Sequence, residues 1–103
     1  MEKLISERIE VYNAFIDLSK TINGLDSLCS KTKALIKLAS ICSDGSEFGI
    51  SLHTEESLKA GASKDEIIDT IICCLPILGI AKINHALQIA CETADTFYSS
   101  SLK

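Results

Sequence analysis

Two side chains near the middle of this 103-residue chain have the type and spacing for proton chemistry: His53 and Glu56. Three residues apart on a helix, they share a face. Imidazole is the side chain that titrates nearest neutral pH, so the pair reads as a general acid/base with a carboxylate beside it. The other reading is a helix histidine hydrogen-bonded at a subunit contact, and spacing alone leaves both open. Joined by His85 and a cysteine, the same pair would form a metal-ligand set. Its spacing matches no compact ligand motif, so no metal and no other cofactor is expected. His85, between Asn84 and Ala86, reads as a contact or surface residue.

The five cysteines are Cys29, Cys42, Cys73, Cys74 and Cys91, and none falls in a Cys-x-x-Cys spacing. Neither a zinc ribbon nor a thioredoxin-like pair is indicated, and reduced thiols are the plain reading. Cys42 is the alternative thiol for a site shared with His53. The favoured reading is a small hydrophobe closing an apolar helix. Cys73 and Cys74 diverge by about 100° on a helix, which favours packing over a vicinal disulfide. Lys31, Lys33 and Lys37 cluster near a helix start, where the dipole disfavours cations. They could attract an anionic substrate, but a solvated face or a subunit salt bridge is favoured.

Five helical stretches and no convincing strand position these residues. Residues 4–22 place Ile5, Ile9, Tyr12, Phe15, Ile16 and Ile22 near helical spacing, and Asn23-Gly24, a pair suited to positive φ, ends the stretch. Ser30 can cap a second helix to about Cys42, apolar around most of its circumference and expected to be deeply buried. Ser43-Asp44-Gly45 breaks it. A more polar third helix, Ser46 to Ala60, closes on Gly61 as the residue after the cap. Ser63 and Glu66 form a capping box for a fourth, almost wholly apolar helix, which Pro76 kinks or ends and Gly79 breaks. The last runs from Ile80 to about Tyr98 with Ile83, Leu87, Ala90, Ala94 and Phe97 on one stripe, and the serine-rich tail beyond is expected to fray. The fold class is all-α, a compact bundle spanning residues 1–103 as one domain.

The composition is 47% hydrophobic with only 5% aromatic residues, which suits closely packed helices and leaves apolar surface without an internal partner. A homo-oligomer is therefore expected. The net charge of −4, with no basic block, argues against nucleic acid. The longest uncharged apolar run, residues 71–81, is too short to span a bilayer, and the N-terminus lacks a signal-peptide core. The expectation is a cytoplasmic protein without membrane contact.

The segment SEFGISLHTEESLKAGASKDEI, residues 46–67, resembles the signature of the carboxymuconolactone decarboxylase and alkyl hydroperoxidase D-like family. In that signature a Cys-x-x-Cys pair precedes a His by four residues, followed by a small-residue and Gly turn and a capped helix. His53 and the stretch Leu58–Ser63 match. The approach helix SKTKALIKLASI and the following DEIIDTIICCLPILG extend the resemblance over roughly residues 30–87. It implies an all-α trimer or hexamer.

The family's cysteine positions hold Ser46 and Gly49, and the Glu on the approach helix is replaced by Ala34. A serine hydroxyl cannot pass through a sulfenic acid and glycine has no side chain, so the resemblance does not carry over dithiol peroxidase activity. In the decarboxylase branch, acidic and His side chains act on a small carboxylated lactone. The acidic residue often found one turn before the His is Gly49 here, while Glu47 lies off the His53 face. That branch survives with Glu56 as a rearranged acid partner. Three functions follow as alternatives. One is a cofactor-free lyase on a small anionic metabolite with His53 as acid/base, and another is a non-catalytic oligomeric binding or scaffold protein. The third is peroxide or thiol redox chemistry through a different cysteine, Cys42.

Overall fold

The computed structural model describes residues 1–101, with side chains through Ser100. The fold is all-α, with no strand among the described residues. Its elements are α1 (Glu2–Glu7), α2 (Ile9–Asn23), α3 (Ser30–Cys42), α4 (Glu47–Lys59), α5 (Lys64–Cys73), the single turn α6 (Leu75–Leu78) and α7 (Ile80–Ser101).

Most boundaries follow from local chemistry. The capping box is formed at both ends: Ser63 Oγ accepts from Glu66 N, and Glu66 Oε1 accepts from Ser63 N, each at 3.0 Å. Gly45, Gly61 and Gly79 take φ of 76°, 101° and 90°, so the α3, α4 and α6 ends turn where a side chain would strain the backbone. Pro76 sits in the first turn of α6, where its missing N–H costs nothing.

The core lies between α3, α4, α5 and α7. α4 packs against both α3 and α7, and α5 against α3 and α7. Leu38, Cys42, Ile50, Ile67, Ile71, Ile83, Ala90 and Ala94 are buried there. Small residues on α7 let the helices approach closely, and α4 presents Gly49, Thr54 and Ser57 as well as Ile50 to its neighbours. Ser51 Oγ donates to Thr93 Oγ1 at 2.9 Å, since the Thr93 hydroxyl itself donates to Ile89 O. Lys64 Nζ pairs with Asp95 Oδ1 at 2.8 Å, joining α5 to α7.

Several expectations are corrected. The helix expected over residues 4–22 is broken at Arg8, whose backbone at φ −149° and ψ 72° leaves the helical region. None of its stripe residues is buried. Gly24 stays right-handed at φ −82°, because its N–H still bonds the Lys20 and Thr21 carbonyls. Cys29, not Ser30, is the N-cap residue of α3, and Ser46 is the N-cap of α4 rather than its first residue. α3 buries only Leu38 and Cys42 fully, while Ile36 is exposed because no in-chain element covers that face. Beyond Tyr98 the chain stays helical through Ser101; Leu102 and Lys103 lie outside the described residues.

Candidate functional site

His53 and Glu56 meet on α4. His53 Nδ1 lies 3.4 Å from Glu56 Oε2, with the His53 side chain one quarter exposed and that of Glu56 about half. Nδ1 is sealed from solvent and makes no hydrogen bond, and the Glu56 carboxylate at 3.4 Å is the charged group beside it. Nε2, which is not sealed in this way, is the nitrogen open to a ligand. The backbone there is held by its own helix: the buried Ser57 donates to the His53 carbonyl at 2.7 Å.

Glu56 also lines a pocket of about 330 Å³ with Asn23, Ser30, Lys33, Ala34 and Lys37. Two lysines and this carboxylate therefore share a small cleft between the end of α2, α3 and α4. Lys33 Nζ donates to Asn23 O at 2.8 Å and Lys37 Nζ to Asn23 Oδ1 at 2.6 Å. These bonds answer the dipole problem posed by lysines at a helix start. The two cations sit at the C-terminal end of α2, where partial negative charge accumulates. Each ammonium has further donors.

Lys31 points elsewhere, to Glu66 Oε2 at 2.8 Å. Its pKa is raised by that carboxylate, and Glu66 is held below the ordinary carboxylate value by Lys31 first and Ser63 second. The predicted lysine cluster is thus divided between a helix-to-helix brace and the pocket.

The positions where the signature carries cysteines have structural duties. Ser46 Oγ accepts from Gly49 N at 3.0 Å and caps α4. Gly49 is buried, and a Cβ there would stand 2.6 Å from Ile41 Cγ1 and 2.9 Å from Ile41 Cδ1. The Ile41 side chain fills the space a second thiol would need. Ala34 lines the lysine pocket in place of the signature's Glu. The family model described as carboxymuconolactone decarboxylase matches residues 10–92, most of the chain. The chain belongs to the carboxymuconolactone decarboxylase family. No curated protein matches it.

For this member of the carboxymuconolactone decarboxylase family, the remaining site residues separate cleanly. Glu47 faces a different groove, of about 370 Å³, with Ser51, Glu55, Glu92 and Thr93 along α4 and α7. It is not near the His53–Glu56 pocket lining. Cys42 is fully buried, and burial pushes its pKa up to about 11, with Cys74 nearby as a second cause. Its thiol stays protonated at neutral pH. Among the described residues no group of three or more His, Cys, Asp or Glu is placed to hold a metal ion. His85 Nε2–H donates to Gly45 O at 3.0 Å, so this exposed ring pins the α3–α4 turn rather than joining His53. Among the described residues no helix is long and apolar enough to cross a membrane.

Two features escape sequence reading. One is Asn23, which gives both its carbonyl and its side chain to the pocket lysines. The other is Cys29, an exposed thiol at the start of α3 with Sγ 3.2 Å from Thr32 Oγ1. The Thr32 hydroxyl first, then N–H groups of the first helical turn, hold its pKa below the ordinary thiol value. A Cys-x-x-Thr spacing before a helix is the signal that could have flagged it.

Proposed function

We propose that this chain is a cofactor-free lyase acting on a small carboxylated metabolite, with His53 moving the proton and Glu56 orienting and balancing the imidazole. The observation that carries the reading is the His53–Glu56 approach of 3.4 Å beside a cleft lined by Lys33 and Lys37. Two ammonium groups neutralise a carboxylate or a developing enolate oxygen. When the bond to the carboxyl group breaks and CO2 leaves, the electron pair stays on the neighbouring carbon, and an imidazolium delivers a proton there and becomes neutral imidazole. No cofactor is needed for that step.

The chain works as a homo-oligomer in this reading, supported by the apolar face of α2 and by single exposed residues such as Ile36 on α3 and Ile72 on α5 that its own fold leaves open. A non-catalytic binding protein is the second reading. It is favoured by Ser46 and Gly49, whose positions serve capping and close packing instead of chemistry. Thiol chemistry at Cys42 is disfavoured by its burial and raised pKa.

A screen of carboxylated lactones and keto acids with purified protein tests the proposal. The lyase reading expects turnover that His53→Ala abolishes and Cys42→Ser leaves intact. Binding without turnover selects the non-catalytic reading. Turnover unchanged in His53→Ala removes His53 from the chemistry.

A further inference from the structure

α2 has no buried residue, and its one extensive neighbour within the chain is α1. A helix of 15 residues that buries none of its side chains is marginal in water by itself, so a partner covering it would stabilise it. Its uncovered face is not random. Val11, Phe15, Leu18 and Ile22 follow a 4-3-4 spacing on the helix, and they and Leu25, just beyond its end, are each between 43% and 63% exposed. That is the spacing of a coiled-coil seam, in which apolar knobs enter holes on a second helix with the same repeat. Tyr12, Ile16 and Ser19, on a separate face, are half-buried.

At its C-terminal end the seam runs into an apolar groove of about 440 Å³ lined by Ile22, Leu25, Leu28 and Ile36, with Lys33 and Lys37 at its edge. We infer that a second copy of this chain docks here, laying its own α2 seam along Val11, Phe15, Leu18 and Ile22 and into the groove. The inference rests on the homo-oligomeric reading above and names its surface.

The size of the patch fits this occupant. Seven apolar side chains (the four of the seam, Leu25, Leu28 and Ile36), each about half exposed and presenting on the order of 100–150 Å² when free, offer about 350–500 Å² per copy. Interface cores are about 65% apolar, so with its polar rim the patch reaches about 550–800 Å² per partner, in the range of a specific interface of small to standard size. A repeat that interlocks with itself also satisfies the two-fold rule that each copy presents the same patch. Lys33 and Lys37 border both this groove and the 330 Å³ cleft beside Glu56. A docked copy therefore closes the open side of the candidate site.

Sedimentation equilibrium on the full chain, with Phe15→Glu and Leu18→Glu as variants, tests the inference. Both side chains are exposed in the protomer, so the variants keep the α3–α7 core, checked by cooperative melting. The wild type is expected to be oligomeric, and each variant to weaken association at least about 30-fold. In a measurement that needs no variant, hydrogen exchange on the wild type should show α2 amides protected at high concentration and released on dilution, with α4 and α7 unchanged. A wild type monomeric at every concentration overturns both this surface and the homo-oligomeric reading, including a monomer that instead binds lipid vesicles. An oligomer indifferent to both variants, or with α2 amides unprotected throughout, overturns the surface alone.

Discussion

Replacing Gly49 by alanine tests whether the second cysteine position of the signature has been given over to packing. Alanine in a helix is favoured over glycine by up to about 1 kcal/mol, so an open site would be stabilised. Here the new Cβ would lie 2.6 Å from Ile41 Cγ1, a branch that moves only if the whole side chain turns. Overpacking of this kind costs about 1–3 kcal/mol. The balance is a loss of about 1 kcal/mol, which lowers Tm by about 4–8 °C for a chain of this size.

The partner is named, so a double-mutant cycle sharpens the test. Ile41→Val removes Cδ1, the second close atom, and lets the branch rotate. Alone it costs about 0.5–1.5 kcal/mol. Combined with Gly49→Ala it should recover about 1 kcal/mol relative to additivity. Urea unfolding followed by far-UV circular dichroism, at one fixed protein concentration, measures all four corners. If Gly49→Ala is stabilising by the full helix-propensity gain, with no coupling to Ile41, the packing argument fails. The same steric conflict predicts that Ser46→Cys with Gly49→Cys yields no peroxidase while Ile41 is intact.

Three further outcomes are expected. Ser46→Ala should cost about 0.5–2 kcal/mol by removing the α4 cap, and Ser46→Asp should keep most of it; equal losses in both would contradict the capping role. Glu66 is depressed in the fold, chiefly by Lys31, so its stabilisation is present above the ordinary Glu value of about 4.3 and fades as pH falls through the lower native value. Lys31→Met should therefore flatten the acid limb of the stability curve, and an unchanged limb would remove the pair from the account. Among the thiols, Cys29 should react first with iodoacetamide near neutral pH, slowed by Thr32→Val, while Cys42 stays inert in the folded protein; a rate insensitive to Thr32 would refute that cause.

What could be read from sequence was what depends on neighbours in sequence. The Ser63–Glu66 box, the helix breaks at Gly45, Gly61 and Gly79, and the shared face of His53 and Glu56 are all set within one helical turn. What escaped depends on distant partners. Lys33 and Lys37 looked misplaced at a helix start because Asn23, which receives them, sits ten and fourteen residues away at the end of another helix. Gly49 looked like a simple loss until Ile41 was seen to fill its space. The break at Arg8 has neither Gly nor Pro to announce it. An apolar pattern also marks a face without saying what covers it, which is why α3 read as deeply buried while Ile36 stands exposed.

The central claim is that the cleft between Lys33, Lys37 and Glu56, with His53 behind it, is where this protein meets a small anion. Amide and imidazole NMR shifts during titration with a small carboxylated lactone test it most directly. The account predicts saturable changes at Lys33, Ala34, Lys37, His53 and Glu56, lost in Lys33→Gln with Lys37→Gln. Changes confined to the Glu47–Glu92 groove, or none at all at saturating ligand, would contradict it.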